Sequence, residues 1–327
     1  LFLAEGMMMA TLGVFLSIGL ALAPRESAQV AATRHFVFYS DKSLNLHDRL
    51  NHLTRSDSPM EPNPCIDELP KEQQEGWSEA LVFYRERLSE LHLRGEEMAA
   101  VRARMLNGDS TQSGGALVDA IFDHIEKARP AYEACLWTEQ DRINRSWIES
   151  VVPKVRKHEE ALTERLSNLF QYPWPADRIS IDVVGWVSRA GANTIDEPAH
   201  VMMSSVDDAY RGDAALEMVF HESSHLLIDA SYGPVSEEIW RVNAGRMLPR
   251  RDLWHTVLFY TVGQATKERL AEAGQPGYVP YLYAQGLIER GWRPYREPLE
   301  THWQLYMDGE IELRTAVERM VEAIHQN

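Results

Sequence analysis

Apolar positions along the chain follow three different rhythms. Residues 7–23 form one uninterrupted apolar run, MMMATLGVFLSIGLALA, closed by Pro24, Arg25 and Glu26. A short alternating stretch follows at His35-Phe-Val-Phe-Tyr39, then a helical pattern over residues 41–55 and a loop with four prolines over 56–70. From Glu72 the three- and four-residue steps of an amphipathic helix take over. They run through Trp77, Leu81, Tyr84, Leu88 and Leu91, and later through Ile143, Trp147, Val151, Val155, Leu162, Leu166 and Leu169, with Pro153 as an expected kink. The rhythm then changes to that of strands. RISIDVVGWV at 178–187 is β-branched and alternating, and AHVMMSS at 199–205 is a second strand candidate, with a turn region at 191–198 between them. Helices are expected again over 214–230, 253–273, 297–308 and 311–324. The pattern predicts a predominantly helical α+β protein.

The first run is short for a membrane-spanning helix, which needs about 20 apolar residues. Val30-Ala31-Ala32 offers small residues at the −3 and −1 positions of a signal-peptidase site. Residues 1–32 therefore read as a signal peptide cleaved near Ala32, leaving a secreted or periplasmic chain without stable membrane insertion. The rest divides by pattern into a helical region, 33–175, and a second region, 176–327. In an oxidising compartment Cys65 and Cys135 either form one disulfide or remain two thiols. A formal charge of −16 disfavours nucleic acid and anionic lipid as partners.

One motif carries chemistry. His221-Glu222-Ser223-Ser224-His225 is an HExxH sequence within the helix expected over 214–230. Positions i and i+4 share a helix face, so two imidazoles can grip one ion while Glu222 stands beside it as a general base for a bound water. Zn2+ suits such a site because it activates water and polarises a carbonyl.

With a strand candidate at 199–205 before the motif helix, this segment resembles the zincin metallopeptidases. There an edge strand binds the substrate backbone and the next helix carries HExxH. The resemblance covers roughly residues 178–275 and implies a zincin-like core over 176–327. Asp229, four positions after His225, is similar to an Asp that follows the motif in thermolysin-like enzymes, and would orient a ligand. The metzincin extension is absent, since LLIDASYGPV follows His225.

A catalytic zinc site needs a third protein ligand. Glu237 and Glu238 follow His225 closely in the chain, which leaves a short return path. His255 comes well downstream, near the start of a very apolar helix, where an unpartnered imidazole would be costly. Glu268 lies further along the same helix, about 220° round its axis from His255, so both cannot ligate. His255 is the preferred ligand, and Glu268, of the gluzincin ligand type, is the runner-up.

Tyr295 and His302 are candidate donors to a developing oxyanion. His35, His47 and His52 form a loose group without ligand spacing, and Asn144-Arg-Ser146 matches a glycosylation sequon. The expected activity is exported zinc-dependent hydrolysis of peptide bonds, with His221, His225 and His255 as ligands and Glu222 as base. Two alternatives stay open: hydrolysis of esters, lactones or non-peptide amides, and a non-catalytic helical binding protein with a structural metal.

Overall fold

A computed structural model describes residues 28–55, 63–89, 95–107, 115–187, 191–195, 199–244, 248 and 252–326. The apolar run at 7–23 lies outside them. The chain is mostly helical, with one five-stranded mixed sheet. Its strands are β1 (Gln29–Ala32), β2 (Phe36–Tyr39), β3 (Ile179–Val184), β4 (Ala192–Ile195) and β5 (His200–Ser204), in the order β1-β2-β3-β5-β4. The three central strands run parallel, and both outer strands are antiparallel to their neighbours.

Strand alternation assigns a different layer to each face of the sheet. Phe36, Phe38, Ile179, Ile181, Val183, Val201 and Met203 point one way. They pack on α6 (Thr138–Phe170), α7 (Gly212–Ser224), α9 (Leu253–Glu272) and the last helix, Leu313–Gln326. Val184 and Met202 point the other way, onto α1 (Lys42–Thr54), α3 (Lys71–Leu88), α4 (Glu96–Asn107) and α5 (Ala116–Tyr132). The short helices α2 (Pro64–Asp67), α8 (Pro234–Val242) and α10 (Tyr281–Ala284) fill the connections.

Residues before and after position 175 share this sheet, because β2 pairs in parallel register with β3. α6 runs unbroken through Pro153. From it, Glu159 reaches the β1–β2 turn, accepting from the Thr33 hydroxyl at 2.6 Å and from the amides of Arg34 and His35 at 3.1 Å. A buried polar brace ties the layers: Asn144 donates to Ser40 and to the Asn45 amide oxygen, and accepts from Ser205 at 2.6 Å. Asn144 is therefore a fully buried structural residue in mid-helix, not a glycan acceptor.

Several expected boundaries move. The 199–205 strand is an inner strand, β5, and the strand at that end of the sheet is β4, within the stretch expected to turn. Val30-Ala31-Ala32 lies in β1, hydrogen-bonded to β2, so a cut after Ala32 would remove an edge strand. Cys65 and Cys135 are joined in a disulfide. No helix among the described residues is long and apolar enough to cross a membrane.

Candidate metal centre

α7 is almost wholly buried, which explains its run of apolar residues on all sides. It stops at Ser224, sooner than the pattern suggests, so His221 sits in its last turn and His225 caps it. The C-terminal end of a helix dipole is its negative end and favours a cation there. The turn that follows is tightly held. The Tyr232 hydroxyl donates to the His225 carbonyl, and Ser236 donates to the Asp229 carbonyl at 2.5 Å. Gly233, with φ of +95°, lets the chain pass close to Leu227, whose carbonyl oxygen would lie 2.5 Å from a Cβ at that position.

His255 reaches the same point from the first turn of α9. The ring centroids of His221, His225 and His255 form a near-equilateral triangle with sides of 5.2, 5.5 and 5.1 Å. One nitrogen from each lies within 4.8 Å of the others, a cluster that could hold a metal ion. Three nitrogens at about 2.0–2.1 Å from one tetrahedral ion would be about 3.3 Å apart. An all-imidazole donor set suits zinc, copper, iron or nickel and does not suit the oxygen-seeking magnesium or calcium.

Aromatic side chains back the three imidazoles. Phe259, one turn after His255 on α9, stacks on His221 at 3.8 Å. Trp254 stacks on His255 at 5.0 Å and meets His225 edge-on at 5.7 Å. Trp292 meets both His255 and Phe259, and its indole donates to Asp252 at 3.0 Å. Packed rings hold the imidazoles in place, which a site must have if its geometry is to survive without a ligand.

Glu222 is buried beside the cluster. The Thr194 hydroxyl lies 2.7 Å from its Oε2 and 2.8 Å from its carbonyl oxygen, linking α7 to β4. The hydroxyl of Tyr210 is hydrogen-bonded to that of Tyr281, and burial raises its pKa, with the charge of Glu222 adding to the effect. Thr194, Tyr210 and Tyr281 were not singled out by the sequence. Nothing about a lone Thr in a very short strand, or about two tyrosines far apart in the chain, marks them.

The other candidates fall elsewhere. Glu268 pairs with Arg165 of α6 at 3.5 Å in a cavity of about 300 Å³ between α6 and α9, and burial raises its pKa. Glu238 pairs with Arg241 and Arg314, and Glu237 is exposed. Asp229 does not orient a ligand as expected: its carboxylate accepts from the Ser231 amide and hydroxyl at 3.2 Å and shapes the turn. Tyr295 is buried in the core, and His302 lies on the π-helical segment Leu299–Trp303. His35, His47 and His52 do not meet: they contact Glu160, Tyr84 and Trp186 respectively.

No protein-family model, curated protein or solved structure matches this chain. The functional reading therefore rests on the site itself.

Proposed function

We propose that the chain is an exported zinc-dependent hydrolase with a zincin-like core that cleaves peptide bonds. The observation that carries this reading is the approach of His255 to the HExxH pair, with Glu222 beside them and tied to β4. When bound, zinc would supply a Lewis acid and lower the pKa of a water toward about 7. His221, His225 and His255 would hold it as neutral imidazoles. Glu222 takes the proton of the attacking water on its carboxylate and passes it to the departing nitrogen. Thr194 fixes the carboxylate orientation for both transfers.

The peptide preference comes from β4. It is the end strand of the sheet among the described residues, antiparallel to β5, and its Thr194 touches the base. An extended substrate backbone can pair along such an edge, which an ester or lactone cannot do. The test is elemental analysis and peptide hydrolysis on wild type and Glu222→Ala. About one zinc per chain in both proteins is expected, with turnover lowered by roughly 10²–10⁴-fold in the variant. Full activity in Glu222→Ala would sink the mechanism, and a wild type that takes up no zinc would return the binding-protein reading.

A further inference from the structure

Glu217 is a carboxylate where packing calls for a hydrocarbon. It lies on α7 one turn before His221, is 0% exposed, and is surrounded by the apolar core. Burying a carboxyl group is unfavourable unless it is bonded, so its partners indicate what it does there. Both partners belong to one short segment after α9. The Tyr278 hydroxyl donates to Oε2 at 2.6 Å, and the Tyr281 backbone amide donates to the same oxygen at 3.0 Å. Burial pushes its pKa up to about 7, against the opposing pull of those two bonds.

The neighbouring helix is built to admit this arrangement. Gly263 sits mid-helix in α9, where glycine costs about 1 kcal/mol relative to alanine. A Cβ there would lie 2.8 Å from Pro280 and 3.2 Å from Glu217 Oε1. The glycine lets α9, α7 and the 278–281 segment meet at one point.

That segment leads back to the histidine cluster through packed rings. The Tyr281 ring lies parallel to Phe259 at 6.1 Å, and Phe259 stacks on His221. The Tyr281 ring also lies 5.7 Å from that of Tyr210. Glu217, Tyr281, Phe259 and His221 thus form a closed circuit that begins and ends on α7.

We infer that Glu217 is a positioning residue that latches the 278–281 segment onto the metal-bearing helix, and that this segment is a wall of the site contacted by substrate. The wall is accessible, because Tyr281 is only partly buried and Val279 beside it is 55% exposed. The substrate half of this inference rests on the hydrolase reading; the latch half does not.

The experiment pairs hydrogen exchange on the metal-free protein with steady-state kinetics on the zinc-loaded protein. In Glu217→Ala the Tyr281 amide should exchange at least about tenfold faster while the β3 and β5 amides keep their protection. KM for a peptide should rise about fivefold or more with kcat changed less than about threefold. Glu217→Gln keeps a carbonyl acceptor and should restore both readouts. If Glu217→Ala does not fold, Tyr278→Phe removes one of the two bonds and should shift both readouts the same way, by about threefold. Unchanged Tyr281 exchange in the folded variant overturns the latch. Faster exchange with unchanged KM overturns the substrate wall. A wild type without turnover refutes the hydrolase reading and the wall with it, while the exchange data still decide the latch.

Discussion

The two faces of the sheet arrange their histidines in opposite ways. On the α7–α9 side, three imidazoles turn toward one another, with centroids 5.1–5.5 Å apart. On the α1–α5 side, each buried histidine has a dedicated partner. His47 lies 2.8 Å from the Tyr84 hydroxyl through Nδ1 and 3.2 Å from the Asn51 amide nitrogen through Nε2. His200 meets Asp182 at 2.8 Å. Asp48 and Arg102 are buried nearby as a loose pair at 3.8 Å. Both regions are rich in buried polar atoms, yet among the described residues only the first brings three ligand atoms together. Burial of histidine is therefore not the mark of a metal centre; convergence is.

The largest effect should come from removing one histidine from each face. His255→Ala should weaken zinc binding by at least about a hundredfold, since changes even outside the ligand shell cost roughly 10–100-fold. His200→Ala should leave zinc stoichiometry intact and lower stability by about 3 kcal/mol, because it removes the imidazole bonded to the buried Asp182. Equal zinc loss in both variants, read by elemental analysis and competition with a chelating dye, would erase the distinction between the faces.

A second contrast is in the response to pH. Burial lowers the pKa of His47 from 6.5 to about 3, with the Arg102 charge adding to the shift. Burial raises that of Asp48 from 3.8 to about 7, because desolvation outweighs the attraction of Arg102. The signs oppose. Folded His47 stays neutral where the unfolded chain protonates, so its contribution is present above pH 6.5 and lost as pH falls toward 3. Folded Asp48 keeps its proton where the unfolded chain releases it, so its contribution is present below pH 3.8 and lost as pH rises to about 7. Across the shared window the two slopes offset each other. Asp48→Asn should unmask a rise in stability of a few kcal/mol between about pH 3 and 6.5. Urea titrations at a series of pH values would read it, and a slope matching wild type would mean that these groups do not titrate as described.

The smallest expected effect is at the seam between sheet and site. Thr194→Val removes one hydroxyl from Glu222 and should lower kcat about tenfold with zinc content unchanged, the scale of one hydrogen bond to a charged group. Wild-type kcat in that variant would make the link to β4 structural only.

Much of the site can be read from the sequence because its chemistry is spaced by helix geometry. HExxH needs only the i, i+4 relation, and the opposed directions of His255 and Glu268 around one helix already show that the two cannot join the pair together. The parts that do not show are those made by chain crossings. β4 is only Ala-Asn-Thr-Ile, beside Gly191, too short for alternation to announce. β1 is Gln-Val-Ala-Ala, whose small residues look the same in a sheet edge as in a processing site. Glu217 sits one turn before the motif, but a glutamate in a helix suggests a solvated face until Tyr278 and Tyr281 arrive from 61 and 64 residues away.

The Cys65–Cys135 bond has a consequence for how this molecule comes apart. It encloses α3, α4 and α5, together with the undescribed stretches 90–94 and 108–114. A protease that cuts once anywhere inside that loop frees no fragment. The nicked chain stays one covalent molecule, heavier by a single water, and separates into two pieces only after unfolding and reduction. A preparation judged intact by its migration on a non-reducing gel can therefore conceal a broken backbone between Cys65 and Cys135.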